Sequence, residues 1–342
     1  MSGIAQYSDK HLRVTVGALA LDVSEGSTMA PSAASLRTLA HDHPEWWAGA
    51  SGEITARPLG RGESFTAHLL RRGERELVVR IPHKPLDELP QSLEAEHEIL
   101  GRVPAGLAAA PVAVHQPTTE DPQAWTVTTR VPGRVLPAAD WADRYLLRAL
   151  ATSLAHLHHA GDQAELPDPG RPDPVGAADL AHAWWRENEP EAAQVLADLW
   201  PAVRRHQERT GTAFRAVTPV LLHGDPAAAN LLVDDDGTVR FVDWEWAQRG
   251  DPARDLAFIG GPITAEPWYA ALDDDLLRDQ TAHYLAERSR RSGEPSEPVG
   301  PVLERRRAHL VHEVFFTAAH LHRTGEEERC AALLAQVADV VR

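Results

Sequence analysis

The chain is almost without cysteine: Cys330 stands alone among 342 residues. A single thiol excludes an intramolecular disulfide framework and every cysteine-based zinc cluster, so nothing asks for an oxidising compartment and a cytoplasmic location is expected. Also missing is any apolar run near the roughly 20 residues that span a bilayer, so no membrane enters the reading. Basic residues are scarce. The 34 Lys and Arg stand against 50 Asp and Glu, and the resulting charge of −16 repels a phosphate backbone, so no nucleic-acid partner is expected. The same excess would favour a cationic small molecule, although acidic charge also serves plain solubility. The signatures Gly-x-x-x-x-Gly-Lys-[Ser/Thr], His-Glu-x-x-His and Gly-x-Ser-x-Gly are absent, and no internal repeat is seen.

What is present begins with length, since 342 residues exceed one small core and suggest two domains. Lys10–Leu21 faintly imitates a signal peptide, but Asp22 and Glu25 interrupt it, and residues 1–28 read as a disordered extension or an artefact of start-site choice. Glu53–Leu59, Phe65–Arg71 and Glu76–Ile81 are short β-forming runs separated by glycine-bearing turns, which predicts three antiparallel strands. A helix is expected over Ser92–Val103, and two more strands near Pro111–His115 and Ala124–Val131. Beyond Pro132-Gly133 the pattern turns helical: Asp140 would cap a helix from Trp141 to about His159 that Gly161 ends. Pro167–Pro174 and Ser292–Pro298 read as loops. Leu303, Leu310, Val311, Val314, Ala318 and Leu321 follow helical spacing and mark a core face. The fold class is α+β, with an extension and helix over 1–48, a small antiparallel-sheet domain with one main helix over 49–131, and a larger, mostly helical domain over 132–342.

The densest chemistry lies in His223-Gly-Asp-Pro-Ala-Ala-Ala-Asn230 and the segment that follows. Leu231-Leu-Val233 and Val239-Arg-Phe-Val242 are β-formers around Asp234-Asp-Asp-Gly237, a hairpin signal. A two-residue turn at Asp236-Gly237 would set Asn230 opposite Asp243, with β-carbons about 4.5–5.5 Å apart, where an amide oxygen and a carboxylate can share one hard cation. Asp225 precedes Asn230 by five positions, the spacing of the kinase catalytic loop His-x-Asp-x-x-x-x-Asn. In that scheme the first Asp orients or deprotonates an attacking hydroxyl, while Asn and the later Asp hold Mg²⁺ on nucleotide phosphates. Against it, Asp-rich turns are common and an isolated polar residue before a strand is usually a cap.

His223-Gly-Asp225-x-x-x-x-Asn230, Val242-Asp-Trp-Glu245 and Gly250-Asp-Pro-Ala-Arg-Asp255-Leu-Ala257 together resemble the signature of the aminoglycoside phosphotransferase superfamily, which includes macrolide, choline and homoserine kinases. The resemblance runs from about Glu53 to the C-terminal helices and implies a bilobal protein-kinase-like fold. It implies catalytic roles for Asp225, the base, and for His223 and Asp255, the latter bracing the catalytic loop or serving only as a helix cap. It makes Asn230 and Asp243 the magnesium ligands. The family often writes His-Gly-Asp-Leu-His-x-x-Asn, whereas Pro226-Ala-Ala-Ala229 here offers no polar side chain near the phosphate.

For the nucleotide, Gly60-Arg-Gly62-Glu-Ser64 lies between the first two strands, where backbone amides and the Ser64 hydroxyl would meet phosphates, although its third glycine is missing. Arg80 occupies the place of the kinase phosphate-binding lysine, in a run like the Arg-Ile-Pro-basic segment of macrolide kinases, or is a surface residue on an edge strand. Glu96 is its expected partner, with Glu94 and Glu98 as rivals. Thr129 and Val131 fall in a hinge-like segment whose backbone would hold the purine. Glu245, Asp273, Asp274, Asp275 and Glu313 are candidates for a cationic acceptor group, each with a solvent-facing alternative. Leu154-Ala-His-Leu-His158 resembles a family helix whose histidines are read as packing groups. His309, His312, His320 and His322 share one predicted helix, as a metal site or as ordinary polar-face residues.

The expected activity is transfer of the γ-phosphate of ATP or GTP to a hydroxyl of an antibiotic-like molecule by a monomer or homodimer. The rivals are a metabolite kinase of the same fold (choline, homoserine or sugar type), a non-catalytic nucleotide-binding protein, and a nucleotidase running on water.

Overall fold

Ser32 opens the first helix of the computed structural model, which describes residues 32–160 and 170–342. Its hydroxyl accepts the Ser35 N–H and caps α1, Ala33–Asp42. A 3₁₀ turn over Pro44–Trp47 follows. The expectations for residues 1–28, for Gly161 and for the first three residues of Pro167–Pro174 lie outside the described residues; Gly170–Asp173 lead into a helix that begins at Pro174. The next elements are β1 (Ile54–Arg61), β2 (Phe65–Arg72), β3 (Arg75–Pro82), α2 (Leu93–Leu100, capped by Ser92), β4 (Pro111–His115) and β5 (Trp125–Thr129). They form one antiparallel sheet in the order β1-β2-β3-β5-β4. The strands expected from sequence all form, because each run is β-rich and bounded by turn residues.

Residues 33–47, expected to belong to an extension and helix outside the sheet domain, do include a helix, and it is part of this unit's core. Leu36, Ala40, Trp46 and Trp47 bury against Ile54, Leu70, Leu77, Val79 and Val127, and the Trp47 indole donates to the Ala40 carbonyl at 2.9 Å. A second cluster gathers Phe65, Leu89, Leu93 and Ala124. The two buried groups cover the sheet from α1 and from α2, which is what a sheet with apolar residues on both sides requires.

The chain divides into two compact units between Val131 and Pro132. The second unit runs through β6 (Arg134–Val135), α3 (Arg144–Ala160), α4 (Pro174–Asn188), α5 (Pro190–Gln194), α6 (Trp200–Thr210), β7 (Val220–Leu222), β8 (Leu231–Val233), β9 (Val239–Phe241) and β10 (Gln248–Gly250). It continues with α7 (Pro252–Ala257), β11 (Ile259–Gly261), β12 (Ala270–Ala271), α8 (Asp274–Ser292), α9 (Val299–Arg323) and α10 (Glu327–Val341). Asp140 does not cap α3: it lies in a 3₁₀ turn, and Asp143, whose Oδ1 accepts the Leu146 N–H at 2.9 Å, starts the helix. Gly293, in the left-handed region at φ +73°, ends α8.

The apolar stripe on α9 is core, with Leu310, Val311, Val314, Ala318 and Leu321 no more than 1% exposed and Leu303 only half-buried. The same helix buries charges, each with partners: Arg305 reaches Asp251 and Glu297, and Glu313 reaches Arg254. Its histidines do not converge. His309 bonds Asp251, His320 lies 3.0 Å from Arg323, and His322 pairs with Glu327. Among the described residues no three His, Cys, Asp or Glu side chains form a metal-binding group, and no helix is long and apolar enough to cross a membrane.

Candidate active site

The chain leaves β7 at Leu222 and turns at once through His223, Gly224 and Asp225. Gly224 has φ +88°, and a Cβ there would lie 2.0 Å from the Trp246 carbonyl oxygen, so only glycine lets these two backbones approach. Asp255 of α7 holds the turn: Oδ2 accepts the His223 N–H at 2.8 Å and Oδ1 the Gly224 N–H at 3.0 Å. The helix cap that sequence left open for Asp255 belongs to Asp251, whose carboxylate accepts the Ala253 N–H at 3.0 Å.

His223 is wholly buried, its Nε2 2.9 Å from the Val242 carbonyl and its Nδ1 3.3 Å from the Asp225 N–H. A carbonyl can only accept and an amide only donate, which fixes the tautomer. Burial pushes the pKa of this ring down, so it stays neutral with both nitrogens on backbone. It thus positions the turn and offers no free nitrogen to a substrate, unlike the catalytic contact expected from sequence.

Asp225 is 8% exposed. The Asn230 Nδ2 donates both to its carbonyl and to its Oδ2, each at 2.9 Å, while Oδ1 has no hydrogen-bond partner among the described residues. Burial, reinforced by the charges of Asp243, Glu313 and Glu245 and opposed by Arg254, raises this carboxyl well above the usual range. A carboxyl so placed is a stronger base than an exposed one.

The hairpin differs by one residue from expectation. The pairs are Leu231–Phe241, Leu232–Arg240 and Val233–Val239, and the Val242 N–H donates to the Asn230 carbonyl at 3.0 Å. Asn230 therefore faces Val242, not Asp243. The loop holds three residues, Asp235, Asp236 and Gly237, closed by the Gly237 N–H on the Asp234 carbonyl with Gly237 at φ +82°. A one-residue slip would send Asp243 to the wrong side, but Asp243 is itself left-handed, at φ +65°, the one non-glycine described with positive φ. That backbone reversal accompanies a carboxylate near enough to act on Asp225 and His223 electrostatically.

With Nδ2 committed to Asp225, Asn230 presents Oδ1, and Asp243 adds a carboxylate. Mg²⁺ typically takes one or two such hard oxygen ligands and fills its shell with water and phosphate oxygens, so this donor set fits it.

Of the acceptor candidates, Glu245 and Glu313 are buried and lie within the electrostatic surroundings of Asp225. Glu313 already has a cation, since Arg254 Nε donates to it at 3.0 Å. Asp273 is the N-cap of α8, accepting the Leu276 N–H at 2.8 Å, and Asp274 and Asp275 occupy its exposed first turn, the solvent-facing alternative. The positive end of a helix accounts for all three acids.

In the small unit, Arg80 lies on β3 between β2 and β5, so it is not on an edge strand. Its guanidinium pairs with Glu96 and stacks 4.0 Å from the centre of the Phe65 ring. Of the rival acids, Glu98 lies 3.8 Å from Arg102. The Gly62 N–H donates to the Phe65 carbonyl at 2.8 Å, and the following Glu63 binds Lys84 at 2.8 Å. A Cβ at Gly60 would meet nothing within 4 Å and at Gly62 only the Phe65 carbonyl at 3.8 Å, so internal packing demands neither glycine. Ser64 is 2% exposed, so its hydroxyl is shielded rather than presented. Thr129 is also engaged: its N–H donates to the Ala110 carbonyl at 2.9 Å and its hydroxyl accepts the Ala110 N–H at 2.8 Å. Among the described residues, the Val131 N–H has no backbone hydrogen-bond acceptor.

Sequence reasoning did not single out Gly224, Arg254 or the link between His158 and Asp255. The signals were local for two of them, Gly224 inside His-Gly-Asp and Arg254 beside Asp255. His158 was noticed only for packing, yet its Nε2 lies 3.1 Å from Asp255 Oδ2.

Known proteins resemble this chain in sequence and in fold. The model of the APH phosphotransferase enzyme family matches residues 55–295. Viomycin phosphotransferase of Streptomyces vinaceus is 33% identical over 167 residues, covering 44% of this chain and 54% of that protein. Thiamine kinase of Escherichia coli (strain SMS-3-5 / SECEC) is 28% identical over 202 residues, covering 58% and 63%. The chain thus spans between half and two thirds of the length of these relatives. Among solved structures, a thermostable aminoglycoside phosphotransferase mutant in ternary complex with ADP and hygromycin B superposes with a TM-score of 0.57 at 15% identity, over 90% of this chain and 98% of that one. That likeness shows the fold, α+β and protein-kinase-like, as the sequence led one to expect.

Proposed function

We propose that this chain, which belongs to the APH phosphotransferase enzyme family, moves the γ-phosphate of ATP or GTP to a hydroxyl of a small antibiotic-like molecule. The observation that carries the reading is the Asp225 turn. One carboxylate oxygen is held by Asn230, the other lacks a hydrogen-bond partner among the described residues, and Asp255 fixes the two preceding amides. Asp225 acts as the base, its open Oδ1 taking the proton of the incoming hydroxyl as the oxygen attacks phosphorus. Asp255 and His223 hold Asp225 in place. Asn230 and Asp243 would hold Mg²⁺, which when bound neutralises phosphate charge and offsets part of the carboxylate repulsion on Asp225.

In the small unit, the Gly60–Ser64 turn would meet phosphates through backbone amides other than that of Gly62, which closes the turn on Phe65, and Arg80, braced by Glu96 and Phe65, would add a planar donor fork. The Val131 N–H, without a backbone acceptor among the described residues, would bind the purine. The ADP in the complex described above supports a nucleotide donor. The likeness to viomycin phosphotransferase and the hygromycin B in the solved complex of the same fold support an antibiotic acceptor, and the thiamine kinase likeness keeps a metabolite alcohol in view.

The test is an acceptor screen with both nucleotides and magnesium. It would cover aminoglycosides, macrolides, viomycin, nucleoside antibiotics, thiamine, choline and sugar alcohols, read as the mass gain of one phosphoryl group. One phosphorylated product is expected. Nucleotide hydrolysis at the same rate with every acceptor, and no product, would replace transfer with a nucleotidase.

A further inference from the structure

Asp255 is a buried carboxylate with three hydrogen bonds, from the His223 N–H, the Gly224 N–H and the His158 ring. A carboxylate only accepts, so His158 Nε2, 3.1 Å away, carries a proton. The imidazole has both carboxylate and burial around it, and burial dominates, holding its pKa below the ordinary value. The neutral ring therefore has an unprotonated Nδ1. The Tyr284 hydroxyl, 2.7 Å from Nδ1, must donate to it. Its oxygen in turn accepts from Arg288 Nη1 at 3.2 Å. Every proton in this line has one direction: Arg288 to Tyr284, Tyr284 to His158, His158 to Asp255. His158, Tyr284 and Asp255 are each 1% exposed, and Arg288 is half-buried. The line joins α8, α3, α7 and the turn before Asp225.

We propose that Tyr284 is a positioning residue of the phosphoryl transfer: through His158 and Asp255 its hydroxyl holds the His223–Gly224 segment that aims Asp225. The inference rests on the transfer reading above. Without the hydroxyl, Nδ1 is a buried acceptor with no donor, and the ring no longer has both nitrogens fixed. Asp255 then keeps its two amides but loses the rigidity of its third donor. Tyr284 touches no substrate, so its removal should slow turnover without weakening substrate binding.

The experiment uses the full chain with Tyr284→Phe, which keeps the ring and removes the hydroxyl, and Arg288→Met, which leaves the hydroxyl and removes its donor. Amide hydrogen exchange at His223 and Gly224 is measured without substrate, and kcat, KM and melting temperature are measured with the acceptor found in the screen. Tyr284→Phe is expected to speed exchange at these two amides at least tenfold while the amides of β7 and α3 keep their rates. It should also lower kcat about tenfold, less than the roughly hundredfold of an outright 1 Å displacement, with KM within twofold. Arg288→Met should act in the same direction by about twofold to threefold, and it decides the matter alone if the Phe variant does not fold. A lower melting temperature with unchanged kcat and unchanged His223 and Gly224 exchange would reduce Tyr284 to a packing residue and overturn the proposal. If the wild-type chain phosphorylates nothing, the transfer reading fails; the exchange measurement then still decides whether Tyr284 braces the turn.

Discussion

Replacing Gly224 with alanine probes the turn that carries Asp225. A Cβ would sit 2.0 Å from the Trp246 carbonyl oxygen and 2.7 Å from its carbon, and contacts under 3.0 Å are essentially never seen. Both atoms are backbone, and their segment is pinned by the pairing of β7 with β10 and by the Ala247 N–H on the Trp244 carbonyl. Relief therefore requires a displacement of about 1 Å, and a displacement of that size near the chemistry typically costs about 10²-fold in rate. The φ of +88° adds about 1–2 kcal/mol for a residue with a Cβ. Gly224→Ala should thus lower kcat about 10²-fold and melting temperature by several degrees, with magnesium-nucleotide affinity nearly unchanged because the proposed ligands lie elsewhere. Turnover would be measured per folded molecule, with the folded fraction taken from circular dichroism. Wild-type kcat in a folded Gly224→Ala protein would refute the claim that this close approach aims Asp225.

Asp243→Ala should remove the magnesium dependence of nucleotide binding, measured by calorimetric titration over a range of magnesium concentrations; an unaltered dependence would take Asp243 out of the ligand set. Acid should destabilise the fold through the buried His206 and the half-buried His312. Burial pushes His206 and His312 from 6.5 down to about 4. The unfolded chain then binds protons that the folded one refuses, so stability is full above pH 6.5 and falls as pH drops toward 4. For His206 the loss is as much as about 3 kcal/mol. Urea melts across that window should flatten in His206→Leu relative to wild type, and equal slopes would contradict the assignment.

The small sheet was legible because its strands are separated by glycine-bearing turns, and its helix because good helix formers carry apolar residues at Leu93, Ile99 and Leu100, although it ends at Leu100 rather than Val103. The site was legible where its groups are close in sequence: Asp225 and Asn230 are five residues apart and do meet. The hairpin register was not, since Asp-Asp-Gly suits both a two-residue turn and the three-residue loop found, and the choice depends on strand twist and on Arg240 reaching Asp234. The contacts of Asp255 with His158 and of His158 with Tyr284 span 97 and 126 residues, and no local pattern announces such pairings. For Asp273 and Asp274 the sequence left two readings, and their place at a helix start agrees with the solvent-facing one, since acids there satisfy the helix itself.

Exchange of the Asp225 carboxylate for the isosteric amide tests the central claim most directly. Asp225→Asn, assayed in single turnover with the acceptor identified by the screen, should transfer phosphate about 10²–10⁴-fold more slowly while binding magnesium nucleotide as the wild type does. Transfer at the wild-type rate would show that this carboxylate is not the base.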